Sequence, residues 1–135
     1  MHLLIEFWEC DRKVLDSTTV IAKVMRRAAR AAKAKPVSAT YRHFDPHGVS
    51  GVMVVEESHL SVHTWPESGY AAVDIFTCGT TCKPSMAVEV FAKGLKALAF
   101  EVREFTRGLP EGIREVERPQ EDGDAEDQRP ISVAV

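Results

Sequence analysis

Residues 48–79 read GVSGVMVVEESHLSVHTWPESGYAAVDIFTCG, three apolar runs separated by short polar breaks. Segments 49–55, 59–65 and 70–78 each have strand length and strand composition, and Pro66-Glu67-Ser68-Gly69 joins the last two as a hairpin-like loop. The middle strand is unusual. His59, Ser61, His63 and Trp65 fall on one of its faces, since side chains alternate along a strand, so polar and aromatic groups line what plain valine would fill.

Upstream, residues 3–9 (LLIEFWE) read as a strand bounded by Cys10-Asp11. From about residue 17 to 33, Val20, Ile21, Val24, Met25 and Ala28 recur at helical spacing. Asp16 or Ser17 suits the cap, and basic residues in the second half favour the helix dipole. Pro36 ends the helix, residues 37–44 read as another strand, and Asp45-Pro46-His47-Gly48 as a turn. Downstream, Cys78-Gly79-Thr80-Thr81 breaks the strand pattern, and Pro84 suits the first turn of a second helix. Val88, Phe91, Leu95 and Leu98 share a face of that helix, and residues 101–106 form a last strand. The order β-α-β-β-β-β-α-β predicts an α+β fold, a two-layer sandwich of a mainly antiparallel sheet with two helices packed on one face. The predicted domain is 1–112, followed by an acidic C-terminal tail over 113–135, with ERPQEDGDAEDQRP at 117–130.

A length of 135 residues is one domain, with 44% hydrophobic and 27% charged residues as in ordinary globular chains. A net charge of -3 gives no basic field for nucleic acid or an anionic membrane, so neither is expected as a partner. The apolar runs are too short to span a bilayer. Three cysteines, an odd number with no secretion signal, point to a reducing cytoplasm over a disulfide scaffold.

Three chemistries compete for the polar strand. His59 and His63, with His43 and His47 at the same spacing and Cys78 and Cys82 nearby, suggest zinc. Four residues of strand separate the two rings by roughly 13 Å, too far for one ion, so no metal is expected. A hydrolytic triad of Ser58, His63 and Asp74 lacks the glycine-flanked nucleophile turn. Cys78, alone, reads as a small core hydrophobe at a strand end.

Taken together these residues carry a resemblance. Residues 48–79, with LIEFWECDRKVLD near the N-terminus, closely resemble the prokaryotic pyruvoyl-dependent S-adenosylmethionine decarboxylases. The likeness runs, with gaps, through most of residues 3–107, and ESHLSVHTWPE and FTCG are its most specific pieces. It implies that the chain cuts itself between Glu57 and Ser58, giving a β chain of residues 1–57 and an α chain that starts at residue 58 with a pyruvoyl group made from the serine. His63 and Ser50 are implied to assist this processing, and Cys78 to be the acid that reprotonates the substrate carbon. The pyruvoyl ketone would accept the electrons released with CO2, as pyridoxal phosphate does elsewhere. Strict alternation sets Ser58 opposite His63, so action of His63 on that bond predicts a turn or bulge at residues 57–59.

For the substrate, the resemblance points to S-adenosylmethionine, feeding polyamine synthesis. Phe44 falls at the adenine-stacking position, Trp65 lies near the pocket, and Glu67 is placed to bind the nucleoside. Two departures keep an alternative open. Asp45 stands where the family commonly has an apolar residue, and CGTTCKPSMA lacks the acidic residues and tryptophan usual after FTCG. Relatives decarboxylate arginine or ornithine, and Asp45 is either the carboxylate that holds such a cation or a turn-capping residue before Pro46. The resemblance also implies a homodimer or larger assembly, with active sites at subunit interfaces.

Overall fold

The three strands of residues 48–79 form the middle of one antiparallel sheet. A computed structural model describes residues 1–78 and 81–117. Strands β1 (His2–Trp8), β2 (Lys35–His43), β3 (Val49–Glu56), β4 (Ser58–Trp65), β5 (Tyr70–Phe76), β6 (Ala99–Leu109) and β7 (Gly112–Val116) lie in the order β2-β3-β4-β5-β1-β6-β7. Every neighbouring pair is antiparallel. Helices α1 (Arg12–Leu15), α2 (Thr18–Ala31) and α3 (Ser85–Leu95) complete the α+β sandwich.

Period-two patterning decides which face of the sheet is buried. Leu3, Ile5 and Phe7 of β1, Met53 and Val55 of β3, Leu60 and Val62 of β4, and Val73 and Ile75 of β5 point one way. They meet Ile21, Val24, Met25 and Ala28 of α2 and Val88, Phe91 and Leu95 of α3 in a single core. Gly94 lets the two helices touch: a Cβ there would sit 2.6 Å from a methyl of Val24. Among the described residues the opposite face of the sheet carries no helix, and the polar side of β4 lies on it.

Local signals account for the element ends. Asp11 caps α1, accepting from the Lys13 and Val14 amides, and the Ser17 hydroxyl caps α2 through the Val20 amide. Asp16, the other cap candidate, goes elsewhere, as described below. Lys96 in the left-handed region closes α3 at Leu95, so Leu98 lies beyond the helix and is 79% exposed rather than on its buried face. The short helix α1 is additional to the two helices expected.

The sheet also runs further than the sequence suggests. Residues 113–116, assigned to the acidic tail, form most of β7 and pair with β6. Their side chains are all exposed, so the burial alternation that reveals a strand in sequence is missing there. Arg103 grips Glu115 through two hydrogen bonds of 2.7 and 2.8 Å across this pair. The acidic stretch from residue 118 onward lies outside the described residues, as do Gly79 and Thr80 of the segment after Cys78.

Candidate active site

Ser58 opens β4 directly after a turn at Glu57. It pairs with Val55 of β3, and the register runs unbroken from there to Ser50 opposite His63. The chain therefore turns where expected, but no bulge follows, and alternation holds along β4. Ser58 keeps to the side of Leu60 and Val62, while His59, Ser61, His63 and Trp65 face away from the helices. Being terminal, Ser58 still borders the open face. Its Oγ is buried without a hydrogen-bond partner among the described residues, a state that costs about 1–3 kcal/mol for an ordinary hydroxyl.

The neighbouring strand brings Cys78 to the same end. His59 pairs with Phe76 at the last paired position of β4 and β5, and Thr77 and Cys78 follow β5 at that end. Thr77 is pinned by the N-terminus: its amide donates to the Met1 carbonyl at 3.0 Å, and the Met1 ammonium donates back at 3.1 Å. The Cys78 thiol is exposed, unlike Cys10, whose burial pushes its thiol up to about 11. The core-filler reading of Cys78 is thereby excluded.

An open depression of about 820 Å³ covers this part of the open face, bordered by Val54, Glu57, Ser58, His59, His63 and Arg107 among others. The rings of His2, His59 and Phe76 cluster beside it, with centroids 5.3 to 6.5 Å apart. Burial is the main cause that holds the His2 pKa below its ordinary value of 6.5. Ser61 donates to Asp74 at 2.8 Å in the adjacent row of side chains. The Tyr70 hydroxyl donates to Glu6 further along, and burial followed by that bond raises its pKa.

The remaining candidates sit further along the sheet, with His63 bordering the same depression as Ser58. Ser50 Oγ and His63 Nδ1 are hydrogen-bonded at 2.7 Å, but His63 is five residues along β4, roughly 16 Å from Ser58 at the usual strand rise. Trp65 is seven residues along, about 23 Å away. It packs on Tyr70 at 5.1 Å and is 39% exposed, while Phe44, across Gly48 at the same end, is 47% exposed. Glu67 meets His47 at 3.1 Å. Asp45 stands exposed in the turn after Phe44, without a hydrogen bond or ion pair among the described residues.

That turn is tied to the helix layer by Asp16. Its carboxylate accepts from the Gly48 amide at 2.9 Å and contacts His43 Nε2 at 2.8 Å, one bond on either side of Phe44 to His47. The Gly48 bond first, then His43, holds the Asp16 carboxyl below its ordinary value of 3.8. Neither Asp16 nor Arg107 is singled out by sequence: one reads as a helix cap, and the other as one of many surface cations.

The fold and the residues around Ser58 have a family behind them. The S-adenosylmethionine decarboxylase family pattern matches residues 1–108. The chain belongs to the S-adenosylmethionine decarboxylase family. A protein of Thermotoga maritima named S-adenosylmethionine decarboxylase proenzyme is 51% identical over 107 residues, covering 79% of this chain and 82% of that one. One of the same name from Synechococcus sp. strain WH7803 is 39% identical over 120 residues, covering 89% and 94%. The crystal structure of adenosylmethionine decarboxylase from Aquifex aeolicus superposes with a TM-score of 0.70 at 28% identity, covering 91% of this chain and 94% of that one. Membership of this decarboxylase family makes the chain a carboxy-lyase, and the word proenzyme in the relatives' names describes a precursor that matures.

Proposed function

We propose that this protein is a self-processing S-adenosylmethionine decarboxylase whose catalytic carbonyl is made from Ser58. The observation that carries this reading is the Ser58 hydroxyl, buried with no hydrogen-bond partner among the described residues and bonded into the chain directly after a tight turn. A structural serine at such a place would donate to a nearby carbonyl; one that must attack its own preceding carbonyl is better left uncommitted.

The chemistry then follows from the chain. Ser58 Oγ attacks the Glu57 carbonyl carbon, the Glu57–Ser58 C–N bond breaks, and the amide becomes an ester with a free Ser58 amine. Loss of the Ser58 α-proton expels the Glu57 carboxylate as the leaving group. Water then replaces the nitrogen, which departs as ammonia, and the former serine ends as a pyruvoyl group. No metal takes part. When present, that group supplies an electron sink for the pair released with CO2. Cys78 Sγ delivers the proton that replaces the lost carboxylate, a task suited to an exposed thiol at the same strand end. Phe44 and Trp65 stack the adenine and face the sulfonium, and Glu67 binds the nucleoside.

These roles need two copies of the chain. Ser58 stands at one end of β4, while Trp65 and Phe44 stand at the other, too far from it to meet in one chain. A two-fold axis running across the strands between two facing sheets lays the Ser58 end of one copy over the Trp65 end of its partner. His63 and Ser50 then assist the cut in the partner chain, which removes the need for a bulge. Exposed Val52, Val54 and Trp65 on that face suit such burial. The reading is tested by CO2 release from S-adenosylmethionine, arginine and ornithine side by side. Turnover of the nucleoside alone is expected; release from an amino acid in its place would move the assignment to a basic amino-acid decarboxylase, with Asp45 as its cation holder.

A further inference from the structure

Arg107 stands at the Ser58 end of the open face with its charge unassigned. Its guanidinium carbon lies 4.6 Å over the Phe76 ring, and Nη1 is 3.5 Å from His2 Nδ1. It borders the same depression as Glu57 and Ser58. Among the described residues it makes no ion pair, whereas Arg103, two rows away on the same strand, is fully engaged by Glu115. Stacking uses the face of a guanidinium and leaves its edge, with paired N–H donors, free for a planar anion. The His2 ring contacts one corner of the guanidinium and brings no carboxylate to neutralise its charge.

We propose that Arg107 is the carboxylate-binding residue of this site, its free edge presented to a carboxylate at Ser58. Two carboxylates arise there if the proposed function holds, on which this inference rests. One is the α-carboxylate of the substrate, and the other is the chain terminus left at Glu57 by the cut. Both match the fork of two parallel N–H donors that a bidentate pair requires.

The test compares Arg107→Ala and Arg107→Lys with the unaltered protein, all as purified full-length chains. Mass analysis of the unaltered protein first reports the cut itself, and a single intact chain there would refute the proposed function rather than the role of Arg107. In the cleaved enzyme, KM for S-adenosylmethionine is compared with Ki for its decarboxylated product, which lacks only the carboxylate. A rise in KM of about tenfold to a hundredfold in Arg107→Ala, with Ki unchanged and partial recovery in Arg107→Lys, identifies the substrate as the source. Alternatively, thermal midpoints are compared in cleaved protein and in uncleaved Ser58→Ala protein. A fall caused by Arg107→Ala only in the cleaved form identifies the Glu57 terminus. The proposal is overturned if KM and Ki move together or stay unchanged while the thermal loss is equal in both forms or absent, or if neither variant cuts.

Discussion

At the scale of single residues, the account separates making the catalytic group from using it. Ser58→Ala removes the attacking oxygen, so the chain should stay whole and inactive on a denaturing gel. Cys78→Ala should still cut, because the thiol lies beyond the bond being broken, yet turnover should fall by about a hundredfold or more, the span of a lost general acid. Full activity in Cys78→Ala would remove the thiol from the mechanism. These residues were legible in the sequence because a motif carried them: ESHL and FTCG name the serine and the cysteine before any coordinates exist. What spacing along a strand could not convey was that Ser58 Oγ is buried without a hydrogen-bond partner among the described residues, which depends on the packed fold. Arg107 was invisible for a related reason, since it reaches Phe76 only through the neighbour relations β5-β1-β6.

At the scale of elements, the core was read with few errors because α2, α3 and the central strands each bury one regular stripe. The misses fell where that stripe is absent. β7 is exposed throughout, α1 is a single turn, and Leu98 continues the helical spacing after a left-handed residue has already ended α3. The contact of α2 with α3 yields a direct prediction. Gly94→Ala gains helix propensity but drives its new methyl into Val24, and overpacking of this kind costs about 1–3 kcal/mol, so the chemical denaturation midpoint should drop. The Asp16 clamp gives a pH prediction. Its carboxyl is depressed in the folded protein, so its contribution is present above the ordinary value of 3.8 and is lost as pH falls through the lower, folded value. Asp16→Ala should abolish that acid-side component and speed exchange of the Gly48 amide, with KM rising through a loosened Phe44 turn. Unchanged exchange at Gly48 would show that the turn holds itself.

At the scale of the whole molecule, the described residues form a sandwich with one helical layer, and the candidate site lies on the sheet face away from it. Sequence likeness implies a dimer, and the proposed completion by a partner rests on β4 spreading the required groups over about 23 Å between Ser58 and Trp65. Completion by a partner is testable by co-expressing Ser58→Ala with His63→Ala. Each variant alone should remain largely uncut, while mixed dimers pair an intact Ser58 with the partner's intact histidine and should cut the His63→Ala chain. Failure of the mixture to cut would confine the processing groups to one chain. The claim beneath all of these is that the Glu57–Ser58 bond is made to be broken. Denaturing mass spectrometry of the purified protein tests it most directly. The account predicts two chains, residues 1–57 and residues 58–135, with a hydrazine-reactive carbonyl in place of the serine at the start of the second; one intact chain that persists on prolonged incubation would contradict it.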